Sequence, residues 1–561
     1  MAATGYSPLV RGNKDKEMTV SDRLMKRLEP MLAGVNPTMA IASVAMVFVF
    51  VLFTVTNAEL ANEIYSGTKA WIEGSLGWYY VAVVGAVLFF TFWVGLSRYG
   101  NLKLGKDDEQ PEFSNFSWFS MLFSAAVGTG LLFWSIAEPL MHMQGNPFME
   151  MAGVETNSSE SAQIALRITM LHWGLHGWSI YILMGLALAY FTYRHGLPLT
   201  IRSALYPILG KRIHGPIGHA VDLLAIFSTL FGTATTLGLG VSQMNAGLNY
   251  IFGWEISTTN QVLLIAVTSV VATLSAVSGV RKGILWLSEW NIRLSSILFL
   301  FLLLAGPTVF LLGLYATSIG DYLANFIPMG LWTDADQSRQ WQGWWTIFYW
   351  GWWLSWGPFV GMFIARISRG RTVRQVVIGG MLASTLGAFL WIVIMGGTGV
   401  YMQLHGSDLA SVANQDLTMV LYKTIESLNI HWATLPMAAL ATLMIVSWFV
   451  TSADSATLVI CTILSSGDES PPKRYRVIWG LGLGALAAVL LLAGGLQGLQ
   501  AATIAAALPF SLVLLVICYC LAKAFHREEG HLALTNCHAE AEAGKISKPI
   551  ISTHATGQQI K

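Results

Sequence analysis

Apolar runs of roughly 18 to 25 residues, divided by short polar stretches, recur along nearly the whole chain. A helix rises about 1.5 Å per residue, so such a run is long enough to cross the roughly 30 Å of hydrocarbon in a bilayer. The pattern predicts about twelve transmembrane helices, near 38–57, 78–97, 117–141, 164–193, 222–252, 260–279, 293–316, 344–365, 375–397, 433–462, 475–494 and 499–524. Residues 1–37 read as an N-terminal tail, 38–525 as the transmembrane domain and 526–561 as a polar, disordered C-terminal tail. An even number of spans puts both termini on one side of the membrane. No small-residue cleavage site stands before the first apolar run, so the N-terminal tail is expected to stay.

Orientation comes from the basic residues. Arg11, Lys14, Lys16, Arg23, Lys26 and Arg27 precede the first span, and Arg98, Arg194, Arg281, Arg366 and Arg474 fall in alternate loops. The opposite loops carry Glu59, Glu155, Asp321, Asp336 and Asp408 instead. The positive-inside bias therefore predicts cytoplasmic termini in a plasma or inner membrane protein. Arg281, Lys282, Glu289 and Arg293, interleaved with Leu285, Trp286 and Leu287, read as an interfacial helix ahead of the seventh span or as a plain connecting loop.

Composition narrows the function. Of 561 residues, 54% are hydrophobic and 11% charged, too apolar a balance for a soluble enzyme. A net charge of +1 without a basic tract argues against nucleic acid as a partner. The four cysteines, Cys461, Cys518, Cys520 and Cys537, lack metal-ligand spacing and read as reduced. There is no GxxxxGK[ST] loop, and neither a Ser-His-Asp order nor paired carboxylates suggest an enzyme.

Two spans carry breakers. Ser124 to Gly130, with Gly128 and Gly130 in mid-span, can unwind the third helix, and Gly351, Gly357 and Pro358 are expected to interrupt the eighth. If spans 3–7 and 8–12 are two halves of an inverted repeat, these are the first helices of each half, where transporters build their sites. Small residues also simply allow helices to pack closely. The third helices of the halves are rich in hydroxyls: Ser228, Thr229, Thr233, Thr235 and Thr236 in one, Ser447, Thr451, Ser452 and Ser455 in the other. Neutral hydroxyls beside freed carbonyls suit Na⁺, although Ser and Thr in helices also bond their own backbone.

The chain has 22 tryptophans, and two stripes of them stand out. Trp173, Trp178 and Tyr181 lie within about two turns of span four, and Trp350, Trp353 and Trp356 recur at i, i+3 and i+6 in span eight with Trp352 beside them. A quaternary ammonium has no hydrogen-bond donor, so ring faces must replace its water, at about 0.5–2 kcal/mol each. Tryptophan also anchors helices at the membrane interface; clustering beside Gly357-Pro358 favours a ligand box. Of the intramembrane charges, Asp454 reads as ion-site support or a helix-packing partner, and Glu138-Pro139 as the outer end of the third helix with a gating role open. His172 and His176 flank Trp173, as proton relays or as histidines satisfied by backbone carbonyls.

With WGWWLSWGPFVGMFIARISRGRT (350–372) in view, the chain resembles the betaine/choline/carnitine transporter (BCCT) family over nearly all its spans. GTGLLFWSIAEP (128–139), HWGLHGWSIYILMGLALAY (172–190), FGTATTLGLGVSQMNAGL (231–248) and WFVTSADSAT (448–457) support it. The resemblance implies an all-α fold of the LeuT-like 5+5 inverted-repeat type with two additional N-terminal helices, and a homotrimer. It implies that Trp173, Trp178, Tyr181, Trp350, Trp352, Trp353 and Trp356 form the substrate box and its pathway. Thr451 and Ser452 would hold one Na⁺ with backbone oxygens near Ala125 and Val127; Thr233 and Phe359 fall where a second sodium has been placed. Family members commonly read Gly-Met-Gly-Ile-Gly where this chain has Ala126-Val127-Gly128-Thr129-Gly130. Choline-type members place an aspartate at the position of Gly130. Without it a bare cation lacks its counter-charge, which favours a zwitterion carrying its own carboxylate. The expectation is Na⁺ symport of glycine betaine, with carnitine, ectoine and dimethylsulfoniopropionate behind it. The alternatives are a Na⁺-independent or H⁺-coupled carrier or exchanger of choline or carnitine type, and an osmosensor acting through its tail.

Overall fold

The computed structural model describes residues 30–126, 128–278, 284–335 and 340–542, without the side chains of 123–126, 284–286, 288 and 529–542. Val127, the basic residues of the N-terminal tail, Arg281, Lys282 and Asp336 lie outside the described residues. The described chain is helical throughout, apart from loops and one isolated antiparallel bridge between Lys103 and Thr372. That is the expected all-α class.

The long helices are α1 (Pro37–Thr56), α2 (Ala58–Leu96), α3 (Asn115–Ala126), α4 (Thr129–His142), α5 (Ser159–Trp173), α6 (Leu175–Ala189) and α7 (Pro216–Phe252). Then come α8 (Thr258–Ser278), α9 (Ile284–Ala305), α10 (Thr308–Gly330), α11 (Phe348–Ile367), α12 (Gly380–Leu404), α13 (His431–Leu464) and α14 (Lys473–Glu542). Among the described residues, eight helical stretches are long and apolar enough to cross a membrane, or up to nine when α9 and α10 count as one bent span. α14 is two helices joined at Gly495, whose φ of 56° is a left-handed conformation that costs glycine little.

Two packed groups organise these helices. α6 lies along α11, and α4 and α5 pack on each other and on α12. α7, α8, α13 and α14 pack mutually, and α7 also meets α11, so the two groups share one long seam. Close approach of α6 and α11 depends on Gly361, where a Cβ would stand 2.3 Å from Met184. α1 is peripheral, with Phe48, Val49 and Val55 exposed, as suits a helix facing lipid.

Several expectations change. The third span does break, between α3 and α4, with Gly128 extended at φ −123° and ψ −173°. The eighth does not: α11 runs unbroken through Gly351, Gly357 and Pro358, preceded by one π-helical turn at Gly343–Ile347. A break not anticipated falls at Gly174 (φ −96°, ψ −144°), between α5 and α6. The seventh span, placed at 293–316, straddles a 106° bend at Gly306-Pro307. Residues 284–293 are continuous with α9 and belong to that helix rather than to a separate interfacial one; α10 turns away and packs on α5 and α12. The tail from His526 is also not irregular at first, since α14 continues to Glu542. Glu528 explains part of that: its carboxylate accepts from Tyr190 and Arg194, tying α14 to the turn after α6.

Candidate functional site

The two breaks and α11 converge on one cavity. Because the helix stops at Trp173 and restarts after Gly174, Trp173 closes α5 while Trp178 and Tyr181 project from α6. Gly177 lets α11 come close: a Cβ there would lie 2.9 Å from the Trp353 indole. Trp173, Trp178, Tyr181, Trp353 and Trp356 line the cavity, together with Leu131 of α4, Gly177 and Ala388 of α12. Trp173 meets Trp353 edge to face at 4.9 Å, and Tyr181 meets Trp353 at 6.0 Å and 78°. The cavity holds about 30 Å³, room for a few waters at most, so the rings must part to admit an organic ligand.

Two of the lining residues carry a donor with nothing to bond. The Tyr181 hydroxyl and the Trp356 indole N–H are buried without a hydrogen-bond partner. Buried donors are seldom left unpaired unless a ligand or water meets them.

Two of the seven expected aromatic residues are elsewhere. Trp350 stacks on His176 at 5.4 Å and 19°, fully buried and away from the lining. Trp352 stands behind Trp353, stacked at 5.1 Å and 9°, and donates its N–H to Thr236 Oγ1 at 3.1 Å. Gly130 sits against it, since a Cβ there would be 2.5 Å from Trp352 Cη2.

Glu138 is the residue the sequence placed least well. It does not end the third span, since α4 continues through Pro139 to His142. Its carboxylate is fully buried and ties three helices: Oε2 accepts from Trp173 Nε1 at 3.0 Å and from the Tyr349 hydroxyl at 2.5 Å, while Oε1 lies 2.6 Å from His172 Nδ1. His172 in turn touches Thr346 Oγ1 at 3.1 Å, and its backbone carbonyl accepts from Trp353 Nε1 at 2.8 Å. The carboxylate thus fixes the plane of one cavity ring, Trp173, and the His172 carbonyl that of a second, Trp353. The Glu138–His142 spacing of four residues was the available signal, since it puts both on one helix face.

The expected sodium ligands are spread over two regions. Thr451 Oγ1 accepts from Asn291 Nδ2 at 3.2 Å and donates to the Trp448 carbonyl at 3.0 Å; Ser452 beside it is half-buried. Ala125 is at the end of α3, and the Val127 oxygen lies outside the described residues. Thr233 is buried on α7 with its hydroxyl unpartnered, as is Thr229 one turn earlier, and Phe359 packs edge-on to Trp356 at 5.4 Å. Asp454 is buried and accepts from Ser275 of α8 at 2.6 Å, the contact of a helix-packing partner. Cys461, Cys518 and Cys520 are free thiols.

Comparison with known proteins identifies the scaffold. The family model described as BCCT, betaine/carnitine/choline family transporter, matches residues 38–530. A probable glycine betaine transporter of Desulfitobacterium hafniense is 42% identical over 495 residues, 88% of this chain and 98% of the relative. A glycine betaine transporter of Acinetobacter baylyi is 42% identical over 494 residues, covering 88% and 74%. A high-affinity choline transport protein of Escherichia coli is 40% identical over 499 residues, covering 88% and 73%. The relatives are named as transporters, and this chain, with its several apolar helices, is a multi-pass membrane transporter and not an enzyme. The chain belongs to the betaine/carnitine/choline transporter family.

Proposed function

We propose that the protein is a secondary active transporter that imports a zwitterionic methylated onium compound, glycine betaine first, by Na⁺ symport. The observation that carries this reading is the cavity ringed by Trp173, Trp178, Tyr181, Trp353 and Trp356. Ring faces take the place of water around a methylated cation, and the free Tyr181 hydroxyl and Trp356 N–H suit the carboxylate that a zwitterion brings with it. Two of the relatives carry glycine betaine in their names.

The sodium part rests on chemistry that fits unequally. The unpartnered hydroxyls of Thr229 and Thr233 are the neutral oxygens Na⁺ takes. At Thr451 and Ser452 an ion would have to displace the Asn291 amide, and this contact favours the second reading, a sodium-independent carrier. When bound, Na⁺ supplies its electrochemical gradient, about 2.3 kcal/mol per charge at 100 mV before any concentration term.

Twelve spans follow if α3 joins α4, α5 joins α6, α10 is left out and α14 counts twice. The 5+5 inverted repeat then groups spans 3–7 and 8–12. The α4–α6, α11, α12 group would rock against the α7, α8, α13, α14 group to alternate access, within the inner or plasma membrane and with both termini cytoplasmic. Uptake of labelled glycine betaine into proteoliposomes with an empty lumen tests the reading. An inward Na⁺ gradient is expected to drive accumulation. No net uptake under a Na⁺ gradient, with exchange only against internal substrate, would overturn symport.

A further inference from the structure

Beside the aromatic cavity lies a second constellation whose side chains do not line it. Glu138, His142 and His172 are fully buried, and one ligand atom of each lies within 4.8 Å of the other two. Oε1 of Glu138 faces His172 Nδ1 at 2.6 Å and His142 Nε2 at 3.4 Å. His142 Nδ1 has no hydrogen-bond partner, and Nε2 has only the long 3.4 Å contact to Glu138 Oε1. A buried imidazole so poorly paired is costly, and a cation at Oε1 would meet the lone pair of its Nε2.

We propose that Glu138, His142 and His172 form a binding site for a divalent transition-metal ion of the zinc class, and that the loaded site antagonises binding in the aromatic cavity. Two imidazoles and one carboxylate are the donor set of zinc sites that keep an open position. Magnesium and calcium prefer all-oxygen shells, and the absence of a thiolate from the set disfavours softer ions. Glu138 and His142 share one face of α4 at i, i+4, and α5 supplies His172 across the helix contact.

The supporting shell is in place as well. Thr346 Oγ1 lies 3.1 Å from His172 Nε2, where it can accept the Nε2–H and so leave the Nδ1 lone pair for a ligand. Trp173 and Tyr349 hold the second carboxylate oxygen. Trp345 packs 4.4 Å from His142, so an ion enters when the end of α4 parts from that ring.

The antagonism follows from charge and from a shared residue. A divalent ion on a single carboxylate leaves net positive charge one indole away from where an onium docks, and Glu138 is also the anchor of Trp173. By linkage, each ligand weakens the other by the same factor. This second half of the proposal rests on the onium reading; the metal site itself does not.

Full-length protein, stripped with a chelator in detergent, is titrated with Co²⁺ and followed by visible d–d absorption. One equivalent of a band typical of low-coordinate cobalt is expected, bleached by Zn²⁺ and absent from His142→Phe, which keeps a ring of similar size, and from His142→Gln, which guards against a folding artefact in the first. Absence of the band in the wild type, or its survival in both variants, would overturn the site. In parallel, Zn²⁺ is expected to raise the apparent Kd for labelled glycine betaine at least fivefold in the wild type and to leave it unchanged in His142→Phe. An unchanged wild-type Kd overturns the antagonism. A normal cobalt band with no betaine binding under any condition sinks the onium reading and leaves the metal site standing.

Discussion

Trp353 and Trp350 lie one helical turn apart on α11, and the structure gives them different work. Trp353 lines the cavity, and Trp350 is packed on His176. Replacing Trp353 by leucine removes one ring face from a desolvated cation, about 0.5–2 kcal/mol, which is roughly a 2- to 30-fold rise in Kd. Trp353→Phe loses the same N–H bond to the His172 carbonyl but keeps a face, so its Kd should fall between wild type and leucine. Trp350→Phe should act on stability instead: trimming a fully buried ring costs about 1–3 kcal/mol and lowers Tm, with Kd within about twofold of wild type. Equilibrium binding of labelled glycine betaine in detergent gives the Kd values, and thermal unfolding of the same samples gives Tm. If Trp350→Phe weakened binding as much as Trp353→Leu, or if Trp353→Leu bound normally, the division of labour drawn here would be wrong.

Other outcomes follow from single contacts. Gly130→Asp puts a side chain where a Cβ would already lie 2.5 Å from Trp352, so betaine affinity should fall at least about tenfold, checked by the same binding assay. Glu138→Ala strips the partners of Trp173, Tyr349 and His172 at once. At about 1–3 kcal/mol for each buried group left unpaired, Tm should drop by several degrees and KM should rise, while Glu138→Gln keeps part of both. Thr233→Val preserves shape and removes one unpartnered hydroxyl; in uptake assays the half-saturating Na⁺ concentration should rise about tenfold with betaine binding at saturating Na⁺ little changed. A normal Na⁺ dependence in Thr233→Val would remove that residue from the ion's path.

Hydropathy made the membrane character and the helical class legible because lipid leaves the backbone few choices, and span length follows from bilayer thickness. It located the α3–α4 break through the run of small residues ending at Gly130. It misjudged α11, where Gly357-Pro358 sit inside a helix whose close packing on α6 keeps it intact. Gly174 gave no such warning, being a lone glycine beside aromatic residues, and its break is met by neighbours remote in sequence, with Leu175 N–H reaching the Tyr322 hydroxyl. The bend at Gly306-Pro307 lay inside an apolar run that periodicity reads as one helix. Aromatic spacing drew attention to the helices whose rings line the cavity, but spacing alone does not say which faces turn inward: Trp353 and Trp356 line it, while Trp350 and Trp352 pack against His176 and Trp353. Glu138 stayed hidden because its importance comes from partners 34, 35 and 211 positions away.

In the proposed site, aromatic faces hold a positive charge rather than merely an apolar shape. The direct measurement compares Kd for glycine betaine with that for 3,3-dimethylbutanoate, in which carbon replaces the charged nitrogen and shape is retained. Betaine is expected to bind at least about tenfold tighter, the sum of several cation–ring contacts less their desolvation cost. Equal or tighter binding of the carbon compound would contradict it.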